Sequence, residues 1–254
     1  MSLPLVFIMA GGLGKRMCSD IPKVLHHVQG KPMLLQVIEN SWKLKPLKII
    51  LIVGKYRPLI EKTLQETLPE EVFANLEFAL QSEAQGTGHA IQCALNHLSD
   101  DYSPTTPVLI LSGDTPLVKT KTMSLLLENL ENAKIMTTHV SDPTGYGRVV
   151  IHDQSFQRIV EHKDCSQEEL SIQIINTGIY AVSLKLLYNY VPQIDNNNAQ
   201  QEYYLTDLFG LLNSNRIPIQ MYQMPVEHQL QLTGINTKEQ LEKLNKLLDG
   251  LNKD

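Results

Sequence analysis

The sequence predicts an α/β fold, a mostly parallel central sheet with a small antiparallel lobe. Three observations carry the prediction. Short apolar runs alternate with helical patterns through the first two-thirds of the chain, as βαβ units require. Those runs are continuous rather than alternating, which fits strands covered on both faces. From about Ser141 the long helices drop out and strand-like runs follow one another.

The elements follow in order. Leu5–Met9 is apolar throughout and closed by Gly11-Gly12, which predicts a buried first strand. Pro32 opens a helical pattern reaching about Leu44, since proline suits a helix's first turn. Lys48–Val53 reads as a second buried strand closed by Gly54. Arg57–Thr67 reads as a helix, Leu76–Leu80 as a strand and Thr87–Leu98 as a helix. Val108–Leu111 is a strand ending at Ser112-Gly113-Asp114, Lys119–Leu130 is helical and Lys134–His139 is strand-like. In the antiparallel lobe, Gly147–His152, Phe156–Val160 and Gln173–Val182 read as strands. Tyr203–Leu212 reads as a helix, Ile217–Tyr222 as a strand, and Thr237–Leu248 as a helix with Glu/Lys spacing.

Composition narrows the function. The 254 residues carry 22 Lys+Arg against 27 Asp+Glu, a formal net charge of −5. With 43% hydrophobic and 19% charged residues the chain is ordinary globular protein, not wholesale disorder. A pI of about 5.9 argues against a nucleic-acid partner, yet a few local cations can still hold a phosphate. Cys18, Cys93 and Cys165 are odd in number and widely spaced, which gives neither a disulfide framework nor a zinc site. No apolar run approaches the roughly 20 residues that span a bilayer. The first residues lack the basic stretch of a signal peptide. The expected location is the cytoplasm, with no membrane partner.

The first strand runs straight into Ala10-Gly11-Gly12-Leu13-Gly14-Lys15-Arg16-Met17. Glycines let a backbone turn tightly and point N–H groups at an anion. Lys15 and Arg16 add cations at once, and Lys23 follows Pro22. Ligands of open α/β sheets bind outside the carboxyl ends of the strands, where this loop lies. Two familiar spellings fail. A dinucleotide fingerprint wants glycine where Met17 stands, and a P-loop wants glycine at Met9 and Ser or Thr at Arg16. Taken alone, the loop also reads as a strand-ending turn with a solvated basic pair.

Gly12-x-Gly14-x-Arg16-Met17, followed by Pro22-Lys23, resembles the sugar-1-phosphate nucleotidyltransferases. Further motifs occur in order: Gln81, Gln85-Gly86-Thr87-Gly88-His89-Ala90, Gly113-Asp114, Thr144-Gly145-Tyr146-Gly147-Arg148 and Val160-Glu161-His162-Lys163-Asp164. Asn176-Thr177-Gly178, Asn196-Asn197-Asn198-Ala199-Gln200 and Glu202-Tyr203-Tyr204-Leu205-Thr206-Asp207 complete the series. Together they resemble the uridyltransferase half of the bacterial bifunctional N-acetylglucosamine-1-phosphate uridyltransferase/glucosamine-1-phosphate acetyltransferases, over about residues 3–240.

The resemblance implies a Rossmann-like nucleotidyltransferase fold that makes UDP-N-acetylglucosamine and pyrophosphate from UTP and N-acetylglucosamine 1-phosphate. It implies Mg²⁺ as cofactor. It divides a single domain into a nucleotide-binding core (about 1–140), a sugar-binding lobe with the return to the core (about 141–236) and a C-terminal helix (237–254). A phosphate monoester has its second pKa near 6 and is already ionised at neutral pH, so no general base is needed. Alignment of two anions and absorption of charge are needed instead.

By resemblance, Arg16 holds the triphosphate, and Lys23 the α-phosphate region and the sugar phosphate. Ala10, Gly11, Gly12 and Gly14 wrap the nucleotide. Gln81, Gly86 and Thr87 read the base; glycine at 86 would let backbone approach that base closely. Gly147, Glu161 and Asn176 take the sugar's hydroxyls and amide, with Tyr204 and Thr206 near the sugar or its phosphate. Asp114 and Asn236 hold Mg²⁺. The residues themselves allow plainer readings. Asn236 is a good N-cap for the helix after it, Gln-Gly-Thr-Gly is a loop entering a helix, and Glu161–Asp164 is a solvated charge run.

The chain also departs from the family pattern. Lys15 stands where Thr or Ser is usual, Gly11 where Ala is, Gln201 where Gly is common, and Ser112 where Tyr forms a wall near the sugar. Hexapeptide repeats of a β-helix do not occur before Asp254, which implies no acetyltransferase activity and no trimer by that route; oligomeric state stays open. Two other readings remain. One is a related nucleotidyltransferase with another sugar or base. The other is a catalytically silent sugar-nucleotide binder.

Overall fold

The structure is a computed structural model that describes residues 2–12, 14–17, 19–99 and 101–251. Cys18, one of the three cysteines counted above, lies outside the described residues, as does the Lys15 side chain.

The chain begins with β1 (Leu5–Met9), the hairpin β2 (His27–Val28) and β3 (Lys31–Pro32), α1 (Met33–Trp42), β4 (Lys48–Val53), α2 (Arg57–Thr67) and α3 (Glu70–Phe73). Next come β5 (Leu76–Leu80), α4 (Thr87–His97), β6 (Pro107–Ser112), α5 (Thr120–Leu127), β7 (Ala133–His139), β8 (Arg148–His152) and β9 (Ser155–Val160). The remainder is α6 (Gln167–Leu170), β10 (Ile174–Ser183), α7 (Leu184–Tyr190), α8 (Asp207–Ser214), β11 (Ile219–Gln223) and α9 (Lys238–Leu251).

The continuous apolar strands are explained by what lies on either side. In β1, Val6 and Ile8 pack with Leu34 and Ile38 of α1, while Leu5 and Phe7 pack with Ile91 of α4 and Phe209 of α8. Each fully buried side chain of this size contributes about 1.5–3 kcal/mol. α1 follows Pro32 and buries Leu34, Val37, Ile38 and Ser41, one face at helical spacing.

The main sheet has the order β11-β7-β10-β6-β1-β4-β5. β6, β1, β4 and β5 are parallel, so their carboxyl ends share one edge. β10 runs antiparallel to both β6 and β7. Its amino end therefore reaches that same edge, which brings Asn176 beside residues that follow parallel strands. β8 and β9 branch off as a hairpin, joined to β10 where Ile175 pairs with Arg148. The antiparallel strands are thus continuous with the main sheet.

Most strands begin and end within a residue or two of the sequence reading. The helix expected at Tyr203–Leu212 is displaced to Asp207–Ser214. Tyr203 is held outside the helix instead: its N–H donates to Gln85 O at 2.8 Å and its carbonyl accepts from Gly88 N at 2.7 Å. The helix expected at Lys119–Leu130 is shorter, with Asn129 at φ 48 past its end. The β2–β3 hairpin turns at Gln29-Gly30, both at positive φ, and α7 begins directly where β10 ends at Ser183.

α9 packs on the core. Leu244 joins Val28, Met33 and Ile235, and Asn245 Oδ1 accepts from Gln29 N at 2.9 Å. Among the described residues, no helix is long and apolar enough to cross a membrane.

Candidate active site

Four of the expected residues meet at the carboxyl edge of the sheet. Lys23 Nζ donates to Asp114 Oδ2 and, at 2.9 Å, to Asn236 Oδ1. Arg16 Nη2 also donates to Asn236 Oδ1, at 3.1 Å. The Lys23 and Asp114 side chains are only 15% and 12% exposed. Main chain sets this geometry. Gly113 N donates to Met9 O at 3.0 Å, which ties the end of β6 to the end of β1. The N-cap reading of Asn236 is not what forms: Thr237 Oγ1 accepts from Gln240 N at 3.2 Å, and Gln240 Oε1 accepts from Asn236 N at 2.7 Å. Thr237 caps the helix, and the Asn236 side chain turns to the cations.

The glycine loop explains itself position by position. Gly14 has φ +58, and a Cβ there would lie 2.8 Å from Lys23 Cβ, so a side chain would push Lys23 away. A Cβ on Gly11 would come 3.2 Å from Gln81 Oε1. Gly12 is open, with nothing within 4 Å of a Cβ. Ala10 is buried and its N–H donates to Ile52 O at 2.8 Å. That N–H belongs to the sheet and cannot serve a phosphate.

Gln81, 7% exposed, follows β5 and donates Nε2 to Gly86 O at 3.0 Å. Packing by itself requires glycine at 86. Its φ is +111, and a Cβ would lie 2.5 Å from Tyr203 O. Thr87 Oγ1 accepts from Leu205 N at 2.9 Å, so it too secures the 203–206 segment.

On the other flank, Glu161 Oε1 accepts from Thr206 Oγ1 at 3.0 Å. Gly147 O accepts from Asn176 N at 2.9 Å, and a Gly147 Cβ would lie 3.5 Å from both Asn176 Cβ and Glu161 Oε2. Burial, then the charges of Asp164 and Glu202, pushes the Glu161 carboxyl up against the pull of Thr206. Glu161, Asp164, Asp195, Tyr204, Thr206 and Asp207 line a cavity of about 390 Å³. Burial pushes the Tyr204 phenol up to about 12, although it accepts from Gln200 Nε2 at 2.9 Å. A larger cavity, about 770 Å³, opens at the amino ends of β1 and β6, and none of the expected residues lines it.

The comparisons with known proteins fall on this geometry. The model of a MobA-like NTP transferase domain matches residues 6–173, which takes in the glycine loop, Gln81, Asp114, Gly147 and Glu161. The chain belongs to that nucleotidyltransferase family. The transferase is 38% identical over 245 residues to a probable UDP-N-acetylglucosamine pyrophosphorylase of Acanthamoeba polyphaga mimivirus, covering 93% of each chain. It is 44% identical over 216 residues to the bifunctional protein GlmU of Bordetella petrii, covering 84% of this chain and 46% of that one. The transferase thus spans about half the length of its bifunctional relatives. A UDP-glucose pyrophosphorylase solved with UDP-glucose superposes with a TM-score of 0.73 at 16% identity, covering 98% and 99% of the two chains. A putative glucose-1-phosphate thymidylyltransferase of Bacillus anthracis gives 0.72 at 19% identity, covering 96% and 94%. These last two share the transferase's fold.

Sequence reasoning passed over residues that shape the site. Tyr180 is buried, and its hydroxyl accepts from Asn176 Nδ2 at 2.7 Å across a β-bulge. The signal was an Asn and a Tyr in one strand around Gly178, whose φ is +75. His89 Nδ1 sits 3.3 Å from Gln81 Nε2, within a motif already quoted. Asp207 stands among Asp195, Glu161 and Asp164; burial, then those charges, raises it to about 6. Arg148 is almost wholly buried, with its guanidinium against Tyr146 O and the Leu170 carbonyl, and it fixes the turn that presents Gly147.

Proposed function

We propose that the chain transfers a uridylyl group from UTP to N-acetylglucosamine 1-phosphate. The convergence of Arg16, Lys23, Asp114 and Asn236 carries the reading. Two cations and two hard oxygen donors stand at one point, between an amide at Gln81 and a carboxylate-lined flank at Glu161. The name of the viral relative, which matches over nearly its whole length, supports the choice of sugar and base.

A sugar-phosphate oxygen forms a bond to the α-phosphorus of UTP. The bond from that phosphorus to the bridging oxygen breaks, and pyrophosphate leaves with the electron pair. No proton is removed from the nucleophile. Arg16 offers a planar fork to the triphosphate, and Lys23 a compact charge to the transferring group. Both act on charge that grows in the transition state.

Gln81 supplies base selection. Its Nε2 is committed to Gly86 O, so Oε1 faces the glycine loop as an acceptor. An acceptor matches the N3–H of uracil and opposes the N3 lone pair of cytosine. Glu161, Asn176 and Thr206 present acceptors and donors to hydroxyls and an acetamide.

Nucleotidyltransferases typically use a divalent metal, and the donor set fits Mg²⁺. Asp114 and Asn236 already aim their oxygens at a single cation, the Lys23 ammonium. Mg²⁺ favours one or two such protein oxygens and completes its shell with phosphates and water. Bound there, it neutralises phosphate charge. Residues of about 1–140 would then bind nucleotide and the 141–236 segment the sugar. Both substrates are multiply charged anions that a bilayer excludes, which goes with a cytoplasmic reaction.

Pyrophosphate release tests the reading, with four nucleoside triphosphates crossed against N-acetylglucosamine 1-phosphate and glucose 1-phosphate. Release confined to UTP with the acetylated sugar is expected. Release with another pair changes the substrate, and no release from any pair despite UDP-sugar binding makes the chain a silent binder.

A further inference from the structure

We propose that Lys23 is a placeholder cation. Its ammonium occupies the point between Asp114 and Asn236 that a divalent metal takes, and it leaves for the phosphates when the metal arrives. The inference rests on the reading of Asp114 and Asn236 as metal ligands.

Three observations carry it. First, Lys23 Nζ donates to both proposed ligands at once, to Asp114 Oδ2 and to Asn236 Oδ1 at 2.9 Å. A dication on those oxygens would sit against an ammonium at contact distance, so the two cannot share the point. Second, Asp114 is 9% exposed. A carboxylate so poor in water needs a cation, and Lys23 supplies it before any ligand binds. Third, Arg16 Nη2 rests on the same Asn236 Oδ1 at 3.1 Å. Both cations assigned to phosphates are therefore parked on the metal's oxygens.

The exchange needs only side-chain motion. Gly14 lets the loop pass close against Lys23 Cβ, which holds the lysine backbone in place. The four-carbon stem can swing its compact charge to another partner. Occupancy by metal and occupancy by phosphate then favour each other: metal frees the cations, and phosphate draws them off the metal's oxygens. Such coupling is reciprocal.

The test is Mn²⁺ titration of the nucleotide-free protein, with unbound Mn²⁺ read by electron paramagnetic resonance. Wild type, Lys23→Met, Lys23→Arg and Asp114→Asn are compared, each first shown folded by circular dichroism. Lys23→Met should bind Mn²⁺ at least about fivefold more tightly than wild type, the lower end of typical coupling. Lys23→Arg, which keeps the charge, should stay close to wild type, and Asp114→Asn should lose the site. Binding by Lys23→Met no tighter than wild type, with Asp114→Asn still losing it, overturns the placeholder and leaves the metal site standing. Absence of binding in every variant that retains Asp114 overturns both.

Discussion

Ile235 donates its backbone N–H to the carbonyl of Asp114 at 3.0 Å. One main-chain bond thus ties the end of β6 to the turn before α9. It holds the Asp114 and Asn236 side chains at a set separation, although they lie far apart in sequence. Ile235 is itself fully buried against Val28, Met33 and Leu244, so packing of the last helix fixes the proposed metal ligands.

Ile235→Ala should therefore cost about 2–5 kcal/mol of stability, the usual price of truncating a buried isoleucine. Urea unfolding reads it. The Mg²⁺ concentration for half-maximal activity should rise in the same variant. Unchanged metal dependence would separate the packing from the site.

Lys23→Ala should lower kcat by about 10²–10³-fold, as loss of one donor to the transition-state charge does. The far-ultraviolet circular dichroism should match wild type. Near-normal turnover would remove Lys23 from the chemistry.

Gln81→Glu sets a carboxylate against the Gly86 carbonyl and breaks the bond that orients the side chain. The UTP KM should rise about 10-fold or more, since an unpaired buried polar group costs about 1–3 kcal/mol. The KM for the sugar phosphate should hold. Steady-state kinetics with each substrate varied in turn decides it.

Burial, then the charges of Asp195, Glu161 and Asp164, pushes the Asp207 carboxyl up to about 6, well above the ordinary aspartate range. Between about pH 4 and 6 the folded state keeps a proton that the unfolded chain releases, so stability falls as pH rises through that window. Asp207→Asn should flatten that fall and stabilise the protein at pH 7.5, by about 1–2 kcal/mol after allowance for partial exposure. Thermal unfolding at pH 4.5 and 7.5 checks the sign.

Much of this was legible in the chain itself. Strands such as Leu5–Met9 and Lys48–Val53 announce themselves because both faces are covered, which leaves no polar position to blur the run. The glycine loop and Asp114 stood out because each follows such a strand, whereas Gln81 came only from the resemblance. Tyr203 misled because a helical apolar pattern was overruled by two main-chain bonds to residues 85 and 88, and no local signal encodes those. The packing constraint on Gly86 had no local signal for the same reason: the backbone it accommodates belongs to Tyr203. Asp207 was invisible as a perturbed acid because its charged neighbours come from two distant segments, Glu161 with Asp164 and Asp195.

One measurement tests the central claim most directly. Crystals of the protein with UDP-N-acetylglucosamine and Mn²⁺ should give an anomalous difference peak between Asp114 Oδ2 and Asn236 Oδ1, with Lys23 Nζ moved onto a phosphate oxygen. The sugar should lie against Glu161 and Asn176. A manganese peak elsewhere, with Lys23 still bound to Asp114 beneath an ordered nucleotide, would contradict the account.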